Sequence, residues 1–383
     1  MLKNKIYKYF TFEILKSFLT ILFAFTAIAW TVRAVNFLDL IVDNGHSVTT
    51  YLMYSLYNIT NIITKFIPLS FLLALTLSIV KFERQNELII LWTTGLDKIK
   101  LINLFFLVSL IILFIQIIFS VYITPYALNK SRSLVSSSSL NSISSVIKVN
   151  NFSDSFKKVT FFVEDINEDD KMMNNIFIRD ESNNFQNLIS DEQDSVNTTI
   201  LAKKGYFNNN NLILFNGLIQ NQNKDGDINN IKFDKTSLLL DKLSNRTIIT
   251  PKLQETSTHF LFKCLINKIN NSEIFFINCP EGYLTKAITE TLSRRIGMPV
   301  YIPLISLICS FLLLSFKKKK NKIFSKYFFF LLGFFTLLLA ELFVRYSGFS
   351  QLNAMLYFLA PLTLIPITYL LLINKLRSEK IEK

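Results

Sequence analysis

The sequence predicts an α-helical integral membrane protein of six transmembrane helices, with an all-β, jellyroll-like domain inserted between the third and the fourth. Three observations carry this reading. Apolar runs long enough to span a bilayer occur three times before Pro125 and three times after Glu290. The stretch between them is polar, rich in Asn and Ser, and broken into short β-rich runs. Lys and Arg gather in the segments that six spans place on one side, which the positive-inside rule makes cytoplasmic.

Composition narrows the function. Half of the 383 residues are hydrophobic, and 41 basic against 28 acidic residues give a net charge of +13. In a spanning chain this surplus marks cytoplasmic flanks, so nucleic acid is not an expected partner. No phosphate-binding glycine loop, no metal-ligand spacing and no catalytic constellation occurs, so the chain reads as a non-catalytic subunit without cofactor. His46 and His259, in separate regions, read as surface or packing histidines. Cys309 lies in an apolar run and reads as buried and inert. Cys264 and Cys279 lie in a polar region, and a disulfide between them stays open if that region faces an oxidising compartment.

The elements follow in order. Lys3, Lys5, Lys8 and Lys16 precede a run from Phe18 to Leu40, and with no small-residue cleavage site after a short apolar core this is a retained helix. Arg33 near its far end reads either as an interfacial snorkelling side chain or as an anion contact lining a cavity. The second span reaches Lys81, so a count of ~20 residues starts it near Asn61, with Tyr51–Thr60 as a helical extension. Lys65 falls in its outer turns. The third runs from Leu101 to Thr124 and should stop at Pro125.

Ser131–Ser145 reads as a linker. Seven β-rich runs follow, Val146–Val149, Lys158–Glu164, Asn175–Arg179, Thr198–Ala202, Leu212–Ile219, Ile231–Phe233 and Ser237–Leu240, spaced as in a sandwich or jelly roll. The last spans are Ile296–Phe316, Tyr327–Tyr346 and Leu352–Ile373; Glu341 and Arg345, at i and i+4 in the fifth, read either as an ion pair within the helix or as a polar lining of a cavity. The expected division is 1–124 with helices one to three, 125–290 with the extracytoplasmic β domain and its connecting segment, and 291–383 with helices four to six.

One loop stands apart, Lys81–Lys100. Asn86 is placed to cap a helix, Glu87 suits the dipole of its first turn, and Gly95 suits a left-handed C-cap. Leu88, Leu91 and Trp92 share one apolar face, expected to be exposed. The segment is either an interfacial helix or connector, or a docking helix for a cytoplasmic partner with Leu91 and Trp92 as anchors and Glu87 as a charged contact.

The pattern resembles the LptF/LptG family of lipopolysaccharide-export permeases over nearly the whole chain. ERQNELIILWTTGL (Glu83–Leu96) is similar to the family's cytoplasmic motif, and YFTFEILKSF (Tyr9–Phe18) to the start of its first helix, with Tyr9 and Glu13 in place. VTFFVEDI, NNIFIRDE and TETLSRRIGMPVYIPL (Thr289–Leu304) resemble the start of its β domain and of its fourth helix, and lean towards LptF. The insert Thr256–Pro280 matches no family motif. The resemblance implies a periplasmic jellyroll, a heterodimer with an LptG-like permease on an LptB-like ATPase dimer, LptC/LptA-like periplasmic bridge proteins, and lipopolysaccharide drawn from the bacterial inner membrane. It implies that Glu87, Leu88, Leu91, Trp92 and Gly95 form the ATPase-docking helix, and that Arg33, with Lys65, contacts lipid phosphates. The alternative is a membrane scaffold that relays ATPase motion to a periplasmic partner without moving substrate.

Overall fold

The computed structural model describes residues 5–42, 47–141, 149–156, 159–167, 172–181, 195–208, 211–223, 228–239, 252–270, 279, 284–314 and 319–381. The helices are α1 (Lys5–Asn36), α2 (Asp39–Val42), α3 (Val48–Arg84), α4 (Glu87–Thr93), α5 (Lys98–Ile118), α6 (Thr124–Asn141), α7 (Thr258–Asn270), α8 (Thr285–Leu292), α9 (Met298–Ser310), α10 (Lys319–Ser347) and α11 (Gln351–Ile381). π turns at Phe119–Ile123 and Ser293–Gly297 join α5 to α6 and α8 to α9. Among the described residues, six helical stretches are long and apolar enough to cross a membrane. The chain divides into two compact units: residues 1–32, 57–129 and 252–383, and residues 33–56 and 130–251.

The helical unit is organised on α9, which buries every residue from Pro299 to Ser310 except Val300 and packs against α5, α10 and α11. Helices in lipid gain little from hiding apolar surface, since the tails are as apolar as Leu; close approach and van der Waals packing hold them. Small residues are accordingly buried at the contacts: Ala74, Ser78, Ser109, Ser306 and Ser310. Ring contacts pin α1 to α3, with centroids 4.5 Å apart for Phe10–Phe82 and 5.6 Å for Phe25–Phe66.

The third span does not stop at Pro125. Proline has no N–H, which leaves the carbonyl of Val121, four residues back, without its helical partner. The π turn falls at this point, and the Thr258 hydroxyl donates to the Val121 carbonyl at 2.9 Å. With that group satisfied the helix continues to Asn141, so most of the expected Ser-rich linker is helical.

Within the expected β domain and its connecting segment, residues from Lys252 onward group with the helical unit. Here α7 buries Leu261 and Cys264 against Ile288 and Leu292 of α8. Cys264 is joined to Cys279 by a disulfide.

The second unit holds six strands, β1 (Ser153–Phe156), β2 (Val159–Asn167), β3 (Met172–Asp180), β4 (Ser195–Asn208), β5 (Asn211–Asn223) and β6 (Ile228–Leu239), in one antiparallel sheet of order β1-β2-β3-β4-β5-β6. Among the described residues this is a meander rather than the crossed connectivity of a jelly roll. Neighbours in sequence pair directly, as in β4 and β5, where Asn208 faces Asn211 and only two residues lie between the strands. Alternation puts Val159, Phe161, Val163, Ile176, Ile178, Ile200 and Leu214 on one buried face. The two runs expected at Ile231–Phe233 and Ser237–Leu240 fall in one strand, because its register with β5 keeps one phase on both sides of Asp234, from Gln222↔Ile228 to Asn211↔Leu239. Of the run at Val146–Val149, only an isolated bridge from Val149 to Val163 lies within the described residues.

Candidate functional site

The candidate site is α4 and its surroundings, at the end of the helical unit where α1 begins. Asn86 precedes α4 in the left-handed conformation, at φ 60°, which Asn tolerates. Its side chain makes no capping bond, so the expected Asn cap is replaced by a backbone turn. Glu87 opens the helix, where a carboxylate meets the positive end of the dipole. The far end closes as a Schellman motif: Leu96 N donates to the Leu91 carbonyl at 3.1 Å and Gly95 N to the Trp92 carbonyl at 3.2 Å. Gly95 takes φ +83°, the left-handed conformation this closure needs.

The expected exposed Leu88–Leu91–Trp92 face is corrected by the packing. Leu88 and Leu91 are 6% and 7% exposed and belong to the chain's own core with Phe82 and Leu101. Trp92 is half-buried against the same core, and the Lys98 ammonium stands 5.8 Å from its ring centroid. The apolar residues that α4 turns outward are Ile89 and Ile90, 55% and 59% exposed. The three-and-four spacing makes a stripe, and that stripe packs into the chain's own core.

Polar contacts tie α4 and the end of α3 to two other helices. The Tyr9 hydroxyl of α1 donates to Glu87 Oε1 at 3.1 Å. Glu87 Oε2 is buried and meets no donor among the described residues. Lys81 of α3 forms an ion pair with Glu13 of α1, and Lys326 of α10 reaches Glu83 Oε2 at 2.8 Å. Between them Phe82 turns into the core against Phe10. Three successive residues of α3 therefore point to α1, to the core and to α10. Sequence reading named Tyr9 and Glu13 but gave them no partners; opposite charges at one end of the bundle were the available signal.

Other sequence-derived candidates lie elsewhere. Arg33 is half-buried in the last turn of α1, about 30 Å along the helix from Glu13 at the usual rise. Lys65 is exposed on α3, about 24 Å by the same measure from Lys81. The structure therefore gathers Glu87, Leu88, Leu91, Trp92 and Gly95 in one place, with neither Arg33 nor Lys65 among them. Glu341 pairs not with Arg345 in its own helix but with Arg294, which also reaches Glu290 at 3.5 Å. His259 is exposed, and His46 lies outside the described residues. Asp225 and the side chain of Asn321, natural topology probes, also fall outside them.

The neighbouring Arg295, not singled out by sequence, makes four side-chain hydrogen bonds. Its buried guanidinium donates to the Thr256 carbonyl at 2.9 Å, Thr258 Oγ1 at 2.7 Å, and the carbonyls of Leu253 and Gln254, both at 3.0 Å. A planar five-donor fork suits such a cluster of acceptors, so the reading is structural.

Two comparisons bear on this arrangement. The profile of the family described as "Lipopolysaccharide export system permease LptF/LptG" matches residues 8–375. An uncharacterised protein of Rickettsia prowazekii (strain Madrid E) is 26% identical over 243 residues, 63% of this chain and 64% of that protein. The match thus spans just under two thirds of that relative's length.

Proposed function

We propose, from the premise that this chain belongs to the lipopolysaccharide export system permease LptF/LptG family, that it is the LptF-like half of a lipid-extracting ABC transporter. The family is one of membrane permeases for lipopolysaccharide export, and the six apolar helices with their inserted β-sheet fit a multi-pass subunit of that kind. The observation that carries the reading is the family match, which runs through both groups of helices and the sheet between them.

In this reading the chain sits in the bacterial inner membrane, with α4 in the cytoplasm and the sheet in the periplasm. An LptG-like permease completes the pair, and an LptB-like ATPase dimer supplies hydrolysis. Lipopolysaccharide enters laterally, with Arg33 and Lys65 meeting its phosphates at headgroup depth. It leaves along the sheet towards LptC/LptA-like bridge proteins. The docking helix is α4: Leu88 and Leu91 hold it to the bundle, Glu87 heads it, Gly95 ends it, and Ile89, Ile90 and the open side of Trp92 face the ATPase. An outward apolar pair on an otherwise packed helix supports docking, since such a pair is a liability in water.

The test is purification of the tagged protein from native membranes in mild detergent. A second permease, an ATPase and bound lipopolysaccharide should co-purify. A chain that purifies with neither ATPase nor second permease would overturn the reading.

A further inference from the structure

The first helix is unevenly held. It buries Tyr7, Phe10, Thr11, Ile14 and Phe18 in its N-terminal half, and beyond Phe18 only Thr26. Its N-terminal end is tied to α4 and the last turn of α3 by three contacts within five residues, Tyr9 to Glu87, Phe10 to Phe82, and Glu13 to Lys81, while Phe18 and Phe25 meet Phe71 and Phe66 further along α3. Phe10 and Phe82 are both buried, which fixes the two helices edge to face. Tyr9 and Glu13 stand at i and i+4, one turn apart on one face of α1, so α4 meets α1 at Tyr9 and the end of α3 meets it one turn on at Glu13. The Glu83–Lys326 pair makes a similar link to α10.

We propose that Tyr9 is a positioning residue for energy coupling: its hydroxyl fixes the Glu87 carboxylate and, beside the Glu13–Lys81 pair that ties α1 to α3, makes α1 move with α4. This rests on the export reading. A hydrogen bond to a carboxylate is stronger than one between neutral groups, and it is directional. It holds the head of α4 in one orientation while leaving Glu87 Oε2 unengaged within the chain. Motion imposed on α4 by a partner then reaches the first span directly. The lightly packed outer half of α1 follows, because few buried side chains oppose it. Without the hydroxyl, α4 still docks through its apolar residues but turns without carrying α1.

The experiment uses the whole complex in proteoliposomes and reads lipid released per ATP hydrolysed. Tyr9→Phe keeps the ring and removes the hydroxyl; the complex should assemble, and release per ATP should fall about tenfold, the lower end of the scale set by one hydrogen bond to a charged group. Adding Tyr9→Phe to Glu87→Gln should cause no further loss, because both act in one contact. Glu13→Lys should lower release per ATP while assembly and thermal stability stay parental, and its combination with Lys81→Glu should restore release. Parental release by Tyr9→Phe, or a loss that adds fully to that of Glu87→Gln, overturns the role of Tyr9 alone. A parental complex that binds no ATPase overturns the export reading along with it.

Discussion

Ser120 Oγ donates to the carbonyl of Arg295 at 2.6 Å, and this bond joins the two π turns found among the described residues across 175 residues of sequence. Each π turn leaves the regular i to i−4 ladder and so frees a backbone group that needs another partner. At one turn the free Val121 carbonyl is taken by Thr258; at the other the Arg295 carbonyl is taken by Ser120. Arg295 in turn binds the Leu253–Thr256 turn with its side chain. The two irregular turns, the start of α7 and the base of α9 are therefore one bonded assembly.

Arg295→Met is expected to destabilise the protein by about 2–3 kcal/mol, because buried carbonyls lose their donors. Arg295→Lys should recover little of this, since one ammonium does not span four acceptors in the plane of a guanidinium. Thermal unfolding in detergent measures both, and a parental midpoint for either variant would show that the bonds contribute nothing net.

Removing the disulfide with Cys264→Ser and Cys279→Ser should cost about 3 kcal/mol on the chain-entropy view for a loop of this size. The cysteines are 15 residues apart in sequence. Alkylation followed by mass spectrometry should find both protected until a reductant is added. Cys309, which is buried, should react only after denaturation. Free thiols at 264 and 279 in untreated protein would contradict the pairing.

Two glycines should respond differently to alanine. At Gly95 a Cβ meets nothing within 4 Å, so Gly95→Ala costs only the left-handed backbone, about 1 kcal/mol. At Gly217 a Cβ would lie 2.3 Å from the Leu201 carbonyl oxygen and 2.3 Å from the Phe233 ring, so Gly217→Ala must move backbone or ring. It should be the more destabilising in hydrogen exchange of the β5 amides. Equal effects would mean that the sheet relaxes freely there.

Sidedness is testable with a silent background, since Cys309 is buried and the other two cysteines are joined. A membrane-impermeant thiol reagent applied to the outer face of the inner membrane should label Asn229→Cys, on an exposed position of β6, and spare Gln85→Cys, just before α4. Labelling in the reverse pattern would invert the topology and remove the basis for a cytoplasmic α4.

The two faces of α4 should separate in a binding assay. Ile90→Ala should weaken ATPase association by roughly 2 kcal/mol, about thirtyfold, if its exposed side chain is buried on docking. Leu91→Ala should instead lower the stability of the permease itself, since Leu91 is already in its core. Unaltered binding by both Ile90→Ala and Trp92→Ala would return α4 to the role of a connector.

By itself the sequence determined the six spans, the helical class, the inserted β-rich segment and the place of α4. These depend on local properties: run length against bilayer thickness, alternation along a strand, and a positive φ at Gly95 that side-chain-bearing residues adopt with difficulty. Tertiary structure decided everything that requires knowing what covers a residue. A stripe at Leu88, Leu91 and Trp92 has the same spacing whether its own core or a partner hides it. Glu341 stands four residues from Arg345 yet pairs with Arg294, and Tyr9 meets Glu87 across 78 residues. Pro125 should have ended a helix, but Thr258, far along the chain, satisfies the carbonyl that proline strands. In each case the deciding contact is long-range, and spacing within one element carries no information about the element packed against it.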